Sequence, residues 1–173
     1  MEDLYTRIIR QRGPTEKLFK RLPGFGGYME MTARRQADRL MREHVAEQMK
    51  MALNRLVEVE KLLLDEGGLK YMSKTRSIKT KFQTLIDRIA TDSPGYSGFF
   101  DAVKVDADDL AVVYAFDEAM LNYMEMFRSK IDALQQAALS GEGVTEVIRE
   151  LDVMTLEAND AYSLRDNVLK GIT

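Results

Sequence analysis

Residues 62–72 read LLLDEGGLKYM, and the pair Gly67-Gly68 separates two long stretches that contain neither glycine nor proline. Glycine is favoured just past the end of a helix, because it adopts the left-handed conformation that a chain reversal needs. Two helices joined by so short a turn become antiparallel neighbours. The stretch therefore predicts a helical hairpin that turns at residues 67 and 68.

Glycine and proline divide the rest of the chain in the same way. They cluster at residues 13–14, 23–27, 94–98 and 141–143, and both residue types interrupt helices. The segmentation predicts a short helix near 14–22 and long helices near 28–66, 69–91, 106–140 and 143–170. The turn SGEG at residues 140–143 predicts a second hairpin.

Apolar residues recur every three or four positions along each long helix, the spacing of a buried helical face. In the first long helix these positions are Met41, Val45, Met49, Ala52, Leu56, Val59 and Leu63. No segment alternates with a period of two. The sequence therefore predicts an all-α fold: an elongated antiparallel (up-down) bundle of four long helices, packed like a coiled coil, with a short N-terminal helix.

The first 22 residues form a basic amphipathic segment, and residues 23–173 form a single helical-bundle domain. The bases of this segment are Arg7, Arg10, Arg12, Lys17, Lys20 and Arg21. Such a segment docks on protein, either on the acidic half of its own bundle or on a neighbour, or it lies on an anionic membrane surface. We expect it to be the least integrated part of the fold, projecting from the bundle or docking on another chain.

The motif Pro-Gly-aromatic-x-Gly-aromatic occurs twice, as PGFGGY at residues 23–28 and as PGYSGF at 94–99. An up-down topology brings both loops to the same end of the bundle. Five aromatic residues fall in these short stretches: Phe25, Tyr28, Tyr96, Phe99 and Phe100. They either cap the open end of the bundle or form a contact surface for a partner or another copy.

Two stretches that include these loops resemble an uncharacterised family of bacterial all-helical proteins. The stretches are LPGFGGYMEMTARRQADRLMREHVAEQM at 22–49 and GYSGFFDAVKVDADDLAVVYAFDEAML at 95–121. The resemblance implies a shared helical fold. It implies no known activity and assigns no functional residue.

Charge is unevenly distributed along the chain. Residues 1–91 hold 19 Lys and Arg against 12 Asp and Glu, whereas residues 92–173 hold 6 against 16, so the balances are +7 and −10. The basic half packs against the acidic half, or Lys70 and Lys74 join the N-terminal bases in binding an anionic partner, or copies assemble head to tail. A pI near 5.4 without a recognisable binding motif argues against nucleic acid.

Catalytic chemistry has little support in the sequence. The chain has no cysteine and a single histidine, His44, which we interpret as a partly buried structural residue. A ferritin-like dimetal centre needs two Glu-x-x-His motifs, and no phosphate-binding loop, dinucleotide fingerprint or Ser-His-Asp set is present. We therefore expect no catalytic residue, metal or cofactor, and no small-molecule substrate is evident.

Asp117 interrupts the apolar stripe of the third long helix, which includes Leu110, Val113, Met120 and Met124. A carboxylate in a core position is costly unless it is paired or hydrogen-bonded. We expect a partner from the N-terminal half, either a base or the hydroxyl group of a tyrosine such as Tyr28. That pairing would fix the register of the two hairpins.

The sequence thus favours a non-catalytic, scaffold-like helical module for interaction or assembly, with another protein or with copies of itself. We expect it in the cytoplasm, since there is no cysteine, no secretory signal and no run of roughly 20 apolar residues. The alternative is a peripheral protein at the inner face of a membrane, bound to anionic lipid through the N-terminal segment.

Overall fold

The computed structural model describes residues 2–22, 31–91 and 107–171. These residues form six α-helices and one 3-10 turn, Leu69–Tyr71, and they contain no strand. The helices are α1 Leu4–Gln11, α2 Thr15–Arg21, α3 Met31–Asp65, α4 Met72–Thr91, α5 Ala107–Ser140 and α6 Val144–Gly171. The all-α prediction is confirmed, and the helix ends lie within about three residues of the predicted ones, the usual uncertainty of such boundaries.

The N-terminal segment contains one helix more than the sequence predicts. Asp3 caps α1, since its carboxylate accepts a hydrogen bond of 2.8 Å from the backbone nitrogen of Thr6. An aspartate at this position satisfies one of the amide groups that a helix start leaves without a partner. Gly13 and Pro14 then separate α1 from α2.

The turn between α3 and α4 has the geometry that the glycine pair predicts. Gly67 has a φ of 81°, in the left-handed region. The amide of Gly68 donates to the carbonyl of Leu63 at 2.7 Å, and the amide of Gly67 donates to the carbonyl of Leu64 at 3.0 Å. These two bonds form a Schellman motif, which satisfies the last carbonyl groups of α3.

Each of the four long helices packs against two others: α3 against α4 and α5, and α6 against α4 and α5. Polar contacts show how α3 and α4 are aligned. Lys79 Nζ lies 2.5 Å from Glu60 Oε1, and Arg42 donates to the carbonyl of Ile89 at 3.2 Å. The end of α3 therefore lies beside the start of α4. The corresponding pairs in α5 and α6 are Lys130–Glu150 and Asp117–Arg165.

The contacts between the two hairpins show that α4 and α6 are parallel neighbours. Lys81 Nζ lies 2.5 Å from Asp152 Oδ1, and Arg88 donates to the hydroxyl group of Ser163 at 2.9 Å. Residue numbers thus increase together along α4 and α6. The neighbour of α4 is accordingly α6, not the next long helix in sequence.

The core is built from the stripes that the sequence shows. All seven stripe residues of α3 are buried, and so are those of α6, which are Val144, Ile148, Leu151, Met154, Ala158 and Tyr162. Because the four long helices present these stripes to one another, they share one continuous apolar cluster.

The N-terminal segment also belongs to this cluster. Ile8, Leu18 and Leu22 are all buried, and α1 packs on α5 and α6 while α2 packs on α5. The expectation that this segment would project, or dock on another chain, is therefore wrong for this conformation. The physical reason is that its apolar residues and its bases both find complementary groups on the α5–α6 hairpin of the same chain.

Among the described helices, none is both long enough and apolar enough to cross a lipid bilayer.

Candidate functional site

The five aromatic residues of the two Pro-Gly-aromatic motifs lie outside the described residues. They are Phe25, Tyr28, Tyr96, Phe99 and Phe100. The prediction that both loops meet at one end of the bundle therefore stays a prediction.

Three of the bases proposed to contact an anionic partner form ion pairs within the chain. Arg7 Nη2 lies 2.5 Å from Glu157 Oε1, and Arg10 Nη2 lies 2.9 Å from Glu2 Oε2. Arg21 makes two contacts at its guanidinium group, which are 2.9 Å to Asn122 and 3.0 Å to Glu125. Arg7 and Arg21 thus attach the N-terminal segment to the α5–α6 hairpin.

The other candidate bases have exposed side chains and are not gathered at one place. They are Arg12, Lys17, Lys20, Lys70 and Lys74. Lys70 lies 5.0 Å from the centre of the Tyr71 ring, beside the turn between α3 and α4.

Tyr71 lies near Thr145 at the start of α6, whereas Arg7 contacts Glu157 further along that helix. The 12 residues from 145 to 157 span roughly 18 Å of helix. Lys70 and Lys74 are therefore well separated from the bases of the N-terminal segment.

α1 packs on α5 and α6, and α2 packs on α5. We call this part of the α5–α6 surface the cradle. A cavity of about 360 Å³ remains between α1 and the two long helices. Its walls combine apolar groups such as Ile8 and Met126 with polar groups such as Gln11, Asn122 and Tyr123. This volume falls in the range of small-molecule sites, although ion pairs already occupy several of the polar groups.

Glu157 is the central polar residue of the cradle, because it accepts from both Arg7 and Tyr123. The Tyr123 hydroxyl group donates to Glu157 Oε1 at 2.6 Å. Burial acts to raise the pKa of Glu157, but the hydrogen bonds from Arg7 and Tyr123 outweigh it and hold that pKa below its ordinary value. Burial, together with the hydrogen bond to Glu157, raises the pKa of Tyr123 well above its usual range. The tyrosine is therefore held as a neutral donor and the glutamate as an ionised acceptor.

Gly13 allows the chain between α1 and α2 to approach α5 closely. Its amide donates to Glu118 Oε2 at 2.6 Å. A side chain at this position would place its Cβ 2.8 Å from Glu118 Oε1, closer than Cβ atoms normally come to another heavy atom. The glycine thus permits a short, charge-assisted hydrogen bond that anchors the middle of the N-terminal segment.

Beyond α1, the surface between α5 and α6 continues as a depression that none of the described residues covers, which we call the open groove. It has a volume of about 340 Å³ and is lined by Met126, Arg149, Glu150, Val153, Met154 and Glu157. Met126 and Glu157 also line the cavity of the cradle, so the two depressions are contiguous. Met126 is 46% exposed and Val153 57% exposed. A short helix therefore covers one part of a continuous surface and leaves the other part open.

A second polar site lies inside the bundle, around Arg165 of α6. Arg165 and Asp117 are fully buried, and Asp38 is 3% exposed. Arg165 donates from Nε to Asp117 at 2.7 Å and from Nη2 to Asp38 at 2.6 Å. Arg42 adds a further contact, 2.9 Å from Nε to the second oxygen of Asp38. This buried ion network connects α3, α5 and α6.

The network adds a partner for Asp117 that the sequence did not predict, and the expected partner from the N-terminal half stays a prediction, because Tyr28 lies outside the described residues. Asp117 lies in the core, where the stripe places it, but the base described beside it is Arg165 of the C-terminal half. The link to the N-terminal half runs through Arg165 to Asp38. Neither Asp38 nor Arg165 was predicted as a site residue, although both continue apolar stripes. Asp38 precedes Met41 by three positions, and Arg165 follows Tyr162 by three.

Neither polar site has the ligand set of a metal centre. In the described part of the chain, no three His, Asp or Glu side chains are grouped closely enough to hold a metal ion. His44 is half-buried on α3.

Comparison with protein-family models, curated proteins and solved structures gives no match for this chain.

Proposed function

We propose that this protein is a non-catalytic helical module for interaction or assembly, and that its α5–α6 surface binds an amphipathic helix. The observation that carries the proposal is that α1 already lies on part of that surface, while no segment in the described part of the chain covers the open groove beside it. Binding a helix in a groove between two helices is a recurrent mode of protein recognition.

Exposed apolar side chains support this assignment. Met126 and Val153 lie in one depression, and large apolar groups that stay exposed side by side are typical of interaction surfaces. Met126 is also a flexible residue that adapts to differently shaped partners.

The charges around the surface indicate the chemistry of the partner. Glu118, Glu125 and Glu157 hold α1 and α2 through contacts to Gly13, Arg21 and Arg7. The open groove has charged residues of both signs at its edge, with Arg149 beside Glu150. We therefore propose a partner helix with an apolar face and flanking bases, similar in character to α1.

A rigid platform suits such a role. We propose that the four long helices form an elongated bundle in which the chain alternates in direction, with α4 and α6 as parallel rather than antiparallel neighbours, and in which α3, with 35 residues, spans about 52 Å. The aromatic residues at 25, 28, 96, 99 and 100 are proposed as a second contact surface, on the sequence pattern alone.

The contacts of α1 favour a protein partner over a membrane. Ile8 is buried against the bundle and Arg7 is paired with Glu157, so the face of α1 that would enter a bilayer is engaged with protein. Lipid binding would require α1 to detach. Flotation of the full chain with anionic vesicles tests this alternative directly.

The proposal is tested by photo-crosslinking in cells that produce the protein. A photoreactive amino acid replaces Val153 in the open groove, and in a matched variant it replaces Thr80, an exposed residue of α4. We expect a discrete crosslinked protein from position 153 and none of comparable yield from position 80. Equal yields from the two positions would contradict a binding role for the open groove.

A further inference from the structure

We infer that two copies of this chain associate through the outer face of α3, with the two α3 helices antiparallel about a two-fold axis near Asn54. This face is separate from the cradle and from the open groove, which lie on α5 and α6. The inference therefore goes beyond the proposed function, and the partner it names is a second copy of the same chain.

A stripe of polar residues runs along this face of α3. Five residues follow one another at intervals of three and four positions, so that they share one side of the helix. They are Glu47, Lys50, Asn54, Glu58 and Lys61, and all five side chains are exposed. We call this set the α3 stripe.

The signs of the charges in the α3 stripe reverse about its centre. Lys50 and Glu58 lie four residues before and after Asn54. Glu47 and Lys61 lie seven residues before and after it. In a two-fold interface, a contact from residue i to residue j is matched by a contact from j to i. An axis at Asn54 therefore sets each base of one copy opposite an acid of the other.

The same pattern determines the orientation of the two helices. In a parallel pair in register, Glu47 would face Glu47 and Lys61 would face Lys61, and like charges placed opposite each other disfavour association. The α3 stripe has two acids and two bases, so it carries no net charge that would repel a second copy. Charge complementarity thus favours an antiparallel pair of identical helices.

The charges of the α3 stripe are available for such a contact. Within the described part of the chain, Glu47, Lys50 and Lys61 make no ion pair. Glu58 lies 3.2 Å from Arg55, and both of these side chains are exposed. Exposed pairs of this kind contribute little to the stability of one chain.

Asn54 suits a position on the axis. Its side-chain amide both donates and accepts hydrogen bonds, so the amides of two copies can bond to each other there. A single asparagine between two paired helices is also known to specify their register.

Met51 provides apolar contact beside the stripe. It is 57% exposed and lines a depression of about 600 Å³ between α3 and α5, together with the buried residues Ala52 and Ile131. In the antiparallel pair the depressions of the two copies face each other. Met51 lies three residues from Asn54, or about 4.5 Å along the helix, so its flexible side chain fills space close to the axis.

The first test is light scattering of the native chain from dilute solution to its highest soluble concentration. We expect a dimer whose dissociation constant increases with sodium chloride, because salt screens exposed charges. Lys61→Glu should increase that constant at least about tenfold, since it sets an acid opposite Glu47 twice in each dimer. Lys74→Glu makes the same exchange at an exposed position of α4 and should leave the constant unchanged. Circular dichroism checks that each variant keeps its helix content.

The second test mixes two variants. Glu47→Lys has a base at both 47 and 61, and Lys61→Glu has an acid at both, so each variant alone opposes like charges. A mixed pair opposes unlike charges at both contacts. We expect the equimolar mixture to form a dimer at concentrations where each variant alone is monomeric. Glu47→Lys should stay monomeric when Lys74→Glu replaces Lys61→Glu in the mixture.

Three results overturn the inference. They are a native chain that is monomeric at every concentration, a dimer that is insensitive to Lys61→Glu, and a mixture no more dimeric than the separate variants. A monomeric native chain would mean that the α3 stripe is solvated or is covered by a different protein. Crosslinking from position 153 tests the proposed function independently of all three.

Discussion

At the scale of single residues, Arg165 is the most unusual feature of the core. A fully buried arginine is stable only when its charge is compensated, and here Asp117 and Asp38 supply carboxylates from two other helices. Such a network contributes little net stability compared with apolar residues of the same size. We propose that its role is to fix the register of α3, α5 and α6, since a shifted helix would leave one of these charges buried without compensation.

Replacing Arg165 with Met should destabilise the protein by about 3–5 kcal/mol, because Asp117 would stay buried without the guanidinium group that faces it. Lys170→Met is the matched control: it removes an exposed ion pair with Asp166 one turn away and should cost less than about 1 kcal/mol. The free energy of unfolding from urea titration measures both.

The double variant Asp117→Leu with Arg165→Met should recover much of that loss. It replaces two opposite charges with apolar groups, while Asp38 keeps its ion pair with Arg42. A double variant less stable than Arg165→Met alone would show that Asp117 contributes through other interactions.

The Glu157 site should make the docking of α1 depend on pH. Because the folded-state pKa of Glu157 lies below its ordinary value of 4.5, its contribution is fully present above that value and is lost as the pH falls through the folded-state pKa. The difference in unfolding free energy between the native protein and Glu157→Gln should therefore be constant near neutral pH and shrink below about pH 4.5. A difference that stays constant down to the acid transition would contradict the assigned role of Glu157.

At the scale of the helices, the turn between α3 and α4 shows two separate reasons for glycine. Gly67 needs its positive φ, whereas Gly68 has a negative φ but lies against the end of α3. A Cβ on Gly68 would be 2.6 Å from the carbonyl oxygen of Leu63, which is backbone and cannot move freely. The first glycine is required by conformation and the second by space.

Alanine at either position should destabilise the hairpin. Gly67→Ala should cost about 1–2 kcal/mol for the left-handed conformation. Gly68→Ala should cost at least as much, because the shift it forces breaks the hydrogen bond to Leu63. Glu66→Ala, an exposed change in the same turn, is the control. Thermal denaturation compares the three, and a Gly68→Ala variant as stable as that control would refute the steric argument.

At the scale of the whole molecule, the two hairpins lie side by side with α4 next to α6 and α3 next to α5. The basic first hairpin thus meets the acidic second one, as in the pair Lys81–Asp152. This pairing was one of the three alternatives that the charge distribution left open. The exposed pairs stabilise the bundle only modestly, so the continuous apolar cluster holds the hairpins together.

The sequence by itself determined the four long helices and their buried faces. Glycine and proline end helices through their own backbone preferences, and the stripe from Met41 to Leu63 needs only helical periodicity to be recognised. The turn at Gly67 was predictable for the same reason, since the residues that form it are adjacent in the chain.

Only the tertiary structure decided which faces meet. Periodicity shows that Asp117 and Arg165 point into a core, but the core is shared by four helices, and their arrangement depends on contacts between residues far apart in the chain. For the same reason, the sequence did not determine the surface on which α1 docks. Its apolar and basic residues suit any acidic, apolar surface, and the packing of α5 against α6 creates that surface within the same chain.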